Sequence, residues 1–545
     1  MGIFLNRGNE EYKRALNSKI YVDKTEMIKL FNEMLGTEQA CVCVSRPRRF
    51  GKTMDANMLA AYFEKGSDSR SLFADKKIAQ TDDWDKNLNR FDVIRFDMAD
   101  VRATTGTPEA ALDYIDRTVI REVSLAWPGA VTEECCSIAD ALMYANEQSG
   151  AQFIIIIDEW DCFFRDEKGN TAVLNRYTDL LRGLFKGNRS KKFVALAYIT
   201  GILPIKKYNS ESALNNFAEY TMLDPAMLAD YIGFRESDVV KLCEKHGMDM
   251  KDLKEWYDGY MYPGCEHIYG PNSVVMALLR HGCMNYWSQT VAFNSLADYI
   301  TMNFDGLKDA VIAMLAGAPQ KVKVTTYAND MTSFRSKNDV MTLLIHLGYL
   351  AYDRENGTAY IPNREVRMCF EDTLEATDWT EVTDAIDASE KLLKKTLAGD
   401  SEAVAEAIEE CHRRNTSIIK YNDENSLACV IGLAYYTARR EYTIIRELPA
   451  GEGFADLVFI PKQGTAKPAM IVELKWDRAA ETAISQIKEK KYPEALKDYM
   501  GKNGSVLLVG ISYEKDDRHG KSSADIGVLP SGSVVKKHTC VIEKI

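Results

Sequence analysis

The stretch SRPRRFGKT, residues 45–53, decides how the first half of the chain is interpreted. Its last three residues, Gly51-Lys52-Thr53, match the end of the phosphate-binding pattern G-x-x-x-x-G-K-S/T. The first glycine of that pattern is absent, because Arg46 stands in its place. Taken alone, the stretch is compatible with a working nucleotide site, a relic of one, or an ordinary strand–turn–helix connection.

The residues on either side give this stretch the context that phosphate binding needs. An apolar, β-prone run, ACVCVS, precedes it, and TMDANMLAAYF follows with apolar residues near helical spacing. A loop between a strand and a helix directs backbone N–H groups and a helix N-terminus toward phosphate. In such a loop Lys52 would reach the β- and γ-phosphates, and the Thr53 hydroxyl would bind Mg²⁺.

A second motif, FIIIIDEWD at residues 153–161, raises the case for an ATPase. An uninterrupted apolar strand is typical of a parallel sheet that is buried on both faces. Asp158 falls at the C-terminal end of this strand, where open α/β sheets bind ligands. There Asp158 can hold Mg²⁺ and Glu159 can polarise an attacking water. The alternative is a core strand with a polar cap.

The remaining elements of the N-terminal half alternate between strand and helix. FVALAYIT (193–200) predicts a strand that ends in Thr200, a position from which a hydroxyl can sense the γ-phosphate. FDVIRFDM (91–98) predicts another strand, and helices are predicted at 107–126, 137–149 and 171–187. The alternation predicts a doubly wound α/β domain over roughly residues 1–225.

The C-terminal region carries a second constellation. Three predicted strands, separated by turns, form an antiparallel meander: EYTIIREL (441–448), FADLVFIP (454–461) and AMIVELKW (469–476). Asp456 lies early on the second strand. Glu473 and Lys475 are two residues apart on the third strand, so the period of a strand places both on one face.

These residue types suit phosphodiester hydrolysis. Two carboxylates, Asp456 and Glu473, can hold Mg²⁺ or Mn²⁺ through oxygen. Such a metal lowers the pKa of bound water and neutralises charge on a phosphodiester. Lys475 can orient the water or stabilise developing negative charge. The alternative is a salt-bridged surface face, against which stands the buried character of MIVELKW.

Flanking elements fit the same core. A predicted helix over 424–440 precedes the meander, with Glu424 as a further candidate acid, and Glu447 is a weaker one. A predicted helix over 479–496 follows it and brings Gln486 and Lys490 near the site. A last predicted strand is SVLLVGIS (505–512).

The phosphate stretch, with arginine in place of its first glycine, resembles that of the bacterial AAA-ATPase-like family. Members of this family are usually fused to a C-terminal PD-(D/E)XK nuclease-like domain. Further stretches match in order over nearly the whole chain: YVDKT (21–25), IIIIDEWD (154–161), ITGILPI (199–205), ALNNF (213–217), WYDGY (256–260), YGPNSV (269–274) and IPNREV (361–366). Arg46 is usual in this family, so the glycine is dispensable if Arg46 can adopt the backbone of the loop.

The resemblance implies an α/β architecture in which a P-loop NTPase with a doubly wound parallel sheet precedes a nuclease-like domain. The expected boundaries are an ATPase core at 1–225, a helical lid and winged-helix-like region at 226–370, a linker at 371–400, and a PD-(D/E)XK domain at 401–545. WYDGY is interpreted as a packed loop, with contact to nucleotide or nucleic acid as the alternative.

Together, the motifs and the resemblance assign two sites. ATP and Mg²⁺ are expected at Arg48, Arg49, Phe50, Gly51, Lys52, Thr53, Asp158 and Thr200, although Arg48 and Arg49 could equally be solvated. Thr53 and Asp158 are the expected metal ligands there, and Glu159 is the catalytic residue. In the nuclease site Asp456 and Glu473 bind Mg²⁺ or Mn²⁺, and Lys475 completes the catalytic set.

Composition limits the functional classes. The formal net charge of −12 argues against a broadly basic nucleic-acid coat, but leaves room for a local basic groove. Apolar runs are too short to span a bilayer, and the first residues lack a signal peptide pattern. The twelve cysteines are scattered, which favours a reduced, cytoplasmic protein. No H-x-x-x-H pairing occurs among the seven histidines, so the spacing predicts no zinc site.

The expected function is ATP binding and hydrolysis coupled to a metal-dependent nuclease that acts on nucleic acid, DNA in the first place. By family analogy alone, defence or mobile-element processing is a suitable context. Many ATPases of this class supply an arginine in trans, so a homo-oligomer is a further expectation. The alternative is a nucleotide-dependent binding switch whose nuclease fold is an inactive docking module. A third interpretation is a nucleotide-free scaffold.

Overall fold

The computed structural model describes most of the chain as two compact units. Unit 1 comprises Met1–Leu307 and Pro319–Phe370, and unit 2 comprises Lys308–Ala318 and Glu371–Ile545. The residues that the structure describes are 2–82, 84–132, 135–167, 169–205, 214–231, 233–287, 292–302, 304–315, 318–327, 333–376, 380–415, 424–450, 453–462, 467–494, 505–514 and 538–545.

Unit 1 is built on a five-stranded parallel sheet. Its strands, in chain order, are β1 (Cys41–Ser45), β2 (Asp92–Asp97), β3 (Phe153–Asp158), β4 (Val194–Gly201) and β5 (Ala218–Tyr220). Their spatial order is β2-β3-β4-β1-β5. The predicted doubly wound parallel sheet is therefore confirmed, and the strand that ends near Thr200 lies between the strands that carry the two motifs.

Helices accompany this sheet, and four of them, α3, α6, α7 and α9, lie where the apolar spacing predicts them. Those along the first part of unit 1 are α1 (Glu10–Leu16), α2 (Met27–Met34), α3 (Lys52–Phe63), α4 (Arg70–Phe73), α5 (Met98–Thr105), α6 (Pro108–Ala126), α7 (Ile138–Ser149), α8 (Cys162–Asp166), α9 (Thr171–Phe185) and α10 (Ser190–Phe193). Local sequence fixes several of their ends. Thr107 caps α6 by accepting a hydrogen bond from the Ala110 N–H, and Pro108 occupies the first turn.

The register of the sheet brings the polar strand ends to one edge. Ser45 is in register with Gly201, and Asp97 is in register with Asp158. Ile157 pairs with Ile199, so Asp158 and Thr200 come next on their strands. Because all these strands are parallel, the loop that follows β1 opens at the same edge.

The rest of unit 1 mixes helices with two small antiparallel sheets. Its helices are α11 (Glu236–His246), α12 (Met250–Tyr257), α13 (Pro271–Arg280), α14 (Ala292–Ile300) and α16 (Lys337–His346), and α17 (Arg364–Ala376) begins there. One sheet has the order β6-β8-β7, from β6 (Phe234–Arg235), β7 (Tyr260–Tyr262) and β8 (Cys265–Tyr269). The other has the order β10-β11-β9, from β9 (Gln320–Lys321), β10 (Ala351–Asp353) and β11 (Thr358–Tyr360). The helical pattern did not predict these sheets, since their strands are too short to show an alternation.

Unit 2 contains a mixed five-stranded sheet. Its strands are β12 (Tyr442–Ala450), β13 (Gly453–Pro461), β14 (Ala469–Trp476), β15 (Val506–Tyr513) and β16 (His538–Lys544), in that spatial order. The first three form the predicted antiparallel meander, β15 is parallel to β14, and β16 is antiparallel to β15. The sequence did not predict β16, which lies beyond the last expected strand.

Helices cover both faces of the second sheet. They are α18 (Thr380–Ala398), α19 (Ser401–Asn415), α20 (Glu424–Ala434) and α21 (Ala480–Glu489), and all but the first residue of α15 (Leu307–Leu315) also belongs to unit 2. Helices α18, α19 and α20 contribute to one apolar core with alternate residues of the strands. Helix α21 connects β14 to β15 and packs on the opposite face.

The stretch 371–400, predicted as a linker, differs from that expectation. It contains α18, whose Leu392 and Leu393 are buried in the core of unit 2. The stretch was misleading because its first half is polar and acidic, whereas the apolar residues that pack are concentrated near its end.

Candidate functional site

The loop between β1 and α3, residues 46–51, adopts a conformation that needs glycine only at its end. Positive φ angles occur at Arg49 (+68°) and Gly51 (+90°) among these loop residues, but not at Arg46. A Cβ at Gly51 would meet no atom within 4 Å, so the backbone conformation, not space, favours glycine there. The missing first glycine therefore costs the loop nothing conformationally.

Arg46 is a buried part of the loop base. Its side chain is 1% exposed, and its guanidinium lies 5.7 Å from the centre of the Tyr262 ring. Its backbone N–H donates to the Gly201 carbonyl at 3.0 Å, which ties the loop to the end of β4. Arg46 is thus packed inside the fold at the base of the loop, whereas Arg48 and Arg49 are exposed.

Lys52 places a positive charge inside the loop. It is buried at the start of α3, and its Nζ donates to the Arg46 and Pro47 carbonyls at 3.0 and 2.9 Å. Burial lowers its pKa, while the nearby carboxylates of Glu159 and Asp158 act in the opposite direction. An ammonium at a helix N-terminus, held only by carbonyls of its own loop, is arranged to exchange them for phosphate oxygens.

Asp158 is positioned by its neighbours on the sheet. Its Oδ1 accepts hydrogen bonds from the Thr200 hydroxyl at 2.9 Å and from the Glu159 N–H at 3.1 Å. Its Oδ2 is buried and has no hydrogen-bond partner. A buried carboxylate oxygen without a partner, at the strand end that faces the loop, fits the oxygen ligands that Mg²⁺ takes, and the hydroxyl of the exposed Thr53 on the first turn of α3 is a further candidate ligand.

Glu159 has an unusual backbone conformation and an ion-pair partner that the sequence did not indicate. Its φ is +55°, and its carboxylate forms a short ion pair with the guanidinium of Arg165. Although burial alone would raise it, Arg165 and Lys52 bring the pKa of Glu159 below its ordinary value. Arg165 also lies 3.5 Å from Asp161, so it is fixed from two sides. Glu159 is therefore ionised and oriented beside the loop.

A cavity of about 630 Å³ opens at this point. Its polar lining includes Lys52 and Thr53 at the start of α3 and Glu159 after β3, and its apolar lining includes Ile20, Val22, Met58, Val275 and Leu279. The volume lies within the range of small-molecule sites, and a lining of both charged and apolar side chains suits a ligand that carries phosphates and a flat base.

Aromatic residues from the second half of unit 1 pack against the loop. The Phe50 ring is 1% exposed and lies 5.4 Å from the ring centre of Tyr260 and 6.4 Å from that of Trp287. The Tyr260 hydroxyl donates to the Gly348 carbonyl at 2.6 Å. The WYDGY stretch is thus a packed segment that supports the loop, as its first interpretation predicted.

The second site lies on the sheet of unit 2. Glu473 and Lys475 are both buried on β14, with the Lys475 Nζ 3.2 Å from the Glu473 Oε1. Asp456, on the neighbouring strand β13, accepts a hydrogen bond from the Leu474 N–H at 2.7 Å. From α21, the Gln486 side-chain amide donates to the same Glu473 oxygen. The structure therefore brings together the three residues that the sequence selected, together with Gln486.

The electrostatics of this cluster favour a cation. Burial, and then the nearby charge of Asp456, raise the pKa of Glu473 to about 7. The Glu473 Oε2 is buried without a hydrogen-bond partner. Two close carboxylates with one unsatisfied oxygen fit Mg²⁺ or Mn²⁺, because a divalent ion would satisfy that oxygen and relieve the repulsion between the acids.

Family models match the two parts of the chain that contain these residues. Residues 8–209 match the AAA-ATPase-like family, which is described as predicted AAA-ATPase, and residues 422–522 match the PD-(D/E)XK nuclease superfamily. The chain thus joins an AAA-ATPase-like domain to a PD-(D/E)XK nuclease-superfamily domain. The first match contains the phosphate loop and Asp158, and the second contains Asp456, Glu473 and Lys475.

One curated relative and two solved structures show weaker similarity to this chain. An uncharacterized protein in the vnfD 5′ region of Azotobacter chroococcum mcd 1 is 25% identical over 288 residues, and the chain spans about half (52%) of that relative. The Aeropyrum pernix ORC1 protein, in complex with DNA, is 13% identical with a TM-score of 0.26, over 70% of this chain and 99% of that one. The ORC2 protein of that organism, in ADPNP–ADP complexes, is 8% identical with a TM-score of 0.32, over 67% of this chain and 98% of that one. TM-scores of this size are too low to establish a shared fold.

Three further residues were expected near the nuclease-like site. The side chains of Glu424 and Glu447 lie outside the described residues, and the place of Lys490 near the nuclease-like site stays a prediction. Within the part of the chain that the structure describes, no helix combines the length and apolar character that a membrane crossing needs.

The IPNREV stretch supports the AAA-ATPase-like loop through Glu365. This buried carboxylate accepts the backbone N–H groups of Tyr286 and Trp287 at 2.7 and 3.0 Å. Trp287 in turn packs on Phe50. Burial raises the pKa of Glu365 to about 7, so the folded protein holds this proton more tightly than the unfolded chain does.

We expect this shift to make stability depend on pH. Because the folded-state pKa is raised, the contribution is fully present below the unfolded pKa of about 4.5 and is lost as the pH rises through about 7. The loss is about 3 kcal/mol. A Glu365→Gln variant lacks this loss, so between pH 5 and pH 8 the free energy of unfolding of the wild type should fall by about 2.5 kcal/mol more than that of the variant, measured by denaturant unfolding. Parallel pH profiles of the two proteins would contradict the assignment.

Proposed function

We propose that this protein binds and hydrolyses ATP in unit 1 and, with a divalent metal, hydrolyses nucleic-acid phosphodiesters in unit 2, DNA in the first place. The observation that carries the proposal is the state of Glu473. It is buried beside Asp456 and Lys475, its pKa is near 7, and one of its oxygens has no partner. A salt-bridged surface face, the alternative that the sequence left open, would be exposed and self-satisfied.

In unit 1 we assign each residue a role from its position in the phosphate loop or the cavity. Backbone N–H groups of the loop and the Lys52 ammonium bind the β- and γ-phosphates. Arg48, Arg49 and Phe50 line the cavity together with Gly51 and Thr53 and contact the bound nucleotide. Thr53 and Asp158 would hold Mg²⁺, which neutralises phosphate charge when bound.

Hydrolysis in unit 1 is assigned to Glu159. Its ionised carboxylate, oriented by Arg165, accepts a hydrogen bond from the attacking water and aligns it with the γ-phosphorus. Thr200, bonded to Asp158, is placed to register the presence of the γ-phosphate. The proposal includes a homo-oligomer in which an arginine of one copy completes the ATP site of the next.

In unit 2 the proposed roles divide between holding a metal and stabilising charge. Asp456 and Glu473 would hold Mg²⁺ or Mn²⁺, which supplies an activated water and neutralises the phosphodiester when bound. Lys475, kept in place by the Glu473 carboxylate and the Leu474 carbonyl, stabilises the negative charge that develops on the phosphate. Gln486 fixes the rotamer of Glu473.

The biological setting belongs to the proposal as well. ATP binding in unit 1 would switch cleavage in unit 2, which suits defence against foreign DNA or the processing of mobile elements. This setting rests on family analogy. Helix α21 lies on the Glu473 side of its sheet, and the exposed Arg478 precedes it, so a cationic side chain is present next to this helix for a phosphate backbone despite the acidic chain.

We expect a Lys52→Ala variant to bind ATP·Mg²⁺ about 10- to 100-fold more weakly than the wild type, because a charged hydrogen bond to phosphate is lost. Isothermal titration with ATP measures this directly. Lys19→Ala is the matched control, since Lys19 is an exposed lysine on the wall of the same cavity. Should Lys52→Ala not fold, Thr53→Ala at an exposed position gives the same test through Mg²⁺. Equal affinities for all variants would refute the nucleotide site.

A further inference from the structure

A second group of potential metal ligands lies in unit 2, away from Glu473. Glu409 and His412 are three residues apart on α19 and therefore share one face of that helix, and His538 is the first residue of β16. One ligand atom from each of the three lies within 4.8 Å of the other two. The His538 Nδ1 and a Glu409 carboxylate oxygen are 2.5 Å apart.

Aromatic side chains pack against the two histidines of this group. His538 and His412 are 1% and 6% exposed. The ring of Tyr513 lies 4.9 Å from that of His538 and 5.3 Å from that of His412, and Trp476 packs on Tyr513 at 4.7 Å. Two imidazoles and one carboxylate are thus held close together in a largely apolar setting. Such surroundings increase the attraction of these donors for a cation.

Strand geometry separates this group from the nuclease-like site. Side chains alternate along β14, so Leu474 and Trp476 point to the face opposite Glu473 and Lys475. Leu474, Trp476 and Tyr513 pack with α19 in one apolar core, whereas α21, which contacts Glu473, packs on the other face. The two sets of ligands therefore lie on opposite faces of one sheet.

We propose that Glu409, His412 and His538 form a zinc site that fastens the terminal strand β16 to helix α19. Two imidazole nitrogens and one carboxylate oxygen are a common ligand set for Zn²⁺, with water as a fourth ligand, and they disfavour Mg²⁺ and Ca²⁺. Donors around tetrahedral Zn²⁺ lie about 3.3 Å apart, so small side-chain rotations complete the site. Binding replaces the proton shared by His538 and Glu409.

The sequence could not reveal this site by spacing. His412 and His538 belong to different elements, and they meet only because β16 closes the sheet beside α19. The Glu409-x-x-His412 spacing was the available signal, and it is common on helices without a metal.

The test uses the full-length protein, stripped with a chelator and then dialysed against equimolar Zn²⁺ in excess Mg²⁺. We expect about one zinc per chain in the wild type by elemental analysis, and a rise in melting temperature on adding zinc. Glu409→Gln and His412→Ala should bind zinc at least tenfold more weakly and lose that rise. Glu473→Gln, and His346→Gln at another buried histidine, should retain both.

Each other result would overturn the site. Zinc that is absent from the wild type, or retained equally by Glu409→Gln, would leave the group as a buried His–Glu hydrogen bond. Zinc that is lost on Glu473→Gln would place the ion in the nuclease-like site. Should His412→Ala not fold, the partly exposed Glu409 decides the matter, because glutamine there keeps the size and a hydrogen bond to His538.

Discussion

A Glu473→Gln variant is expected to cut nucleic acid about a thousandfold more slowly than the wild type in Mg²⁺ or Mn²⁺. The substitution keeps the shape of the side chain but removes the negative charge that, with Asp456, would hold the metal. Altering groups that merely orient metal ligands typically costs 10- to 100-fold, so the loss of a ligand should cost more. The measurement is the initial cleavage rate at saturating metal.

The fold should survive this substitution. Glutamine can still accept the hydrogen bonds from Lys475 and Gln486, and it removes a buried charge whose pKa is already raised to about 7. Glu481→Gln, at an exposed position on α21, is the matched control and should cleave at the wild-type rate. Cleavage that Glu473→Gln leaves within threefold of the wild type would remove Glu473 from the site.

A Glu159→Gln variant is expected to hydrolyse ATP about 100- to 1,000-fold more slowly while binding it within about threefold of the wild type. An amide can still occupy the position beside Arg165, but it is a far weaker acceptor for the attacking water. Single-turnover hydrolysis and equilibrium titration separate the two effects, since the lost interaction acts in the transition state.

The control for Glu159 is another ion-paired glutamate in the same unit. Glu167 pairs with Arg102 at 2.8 Å and does not line the cavity, so Glu167→Gln should leave turnover unchanged. If Glu159→Gln weakens ATP binding and turnover to the same degree, Glu159 positions the nucleotide and does not activate water.

The local sequence pattern was sufficient to predict the strands that hold the candidate site residues. The apolar runs before Arg46 and before Asp158 predicted β1 and β3, and AMIVELKW predicted β14 with its bounds as observed. The period of a strand placed Glu473 and Lys475 on one face, and the structure has them 3.2 Å apart. These features depend on residues that are close in sequence, so they can be predicted without a structure.

Features that depend on tertiary contacts were not predictable in this way. The burial of Arg46 over Tyr262 and the pairing of Glu159 with Arg165 require a defined backbone that only the fold supplies. The same holds for His412 and His538, which come from a helix and a terminal strand. The 371–400 stretch was interpreted as a linker because it is polar on average. Its few apolar residues nevertheless pack in the core of unit 2.

The most direct test of the account is a cleavage assay on single- and double-stranded DNA and RNA with Mn²⁺, with and without ATP. Wild type, Lys52→Ala and Glu473→Gln are compared at equal concentration. We expect metal-dependent cleavage of DNA by the wild type. Glu473→Gln should abolish this cleavage, and Lys52→Ala should remove its response to ATP. Wild-type protein that turns over ATP but cuts none of these substrates would contradict this expectation, and would favour a nucleotide-dependent binding switch with an inactive nuclease fold.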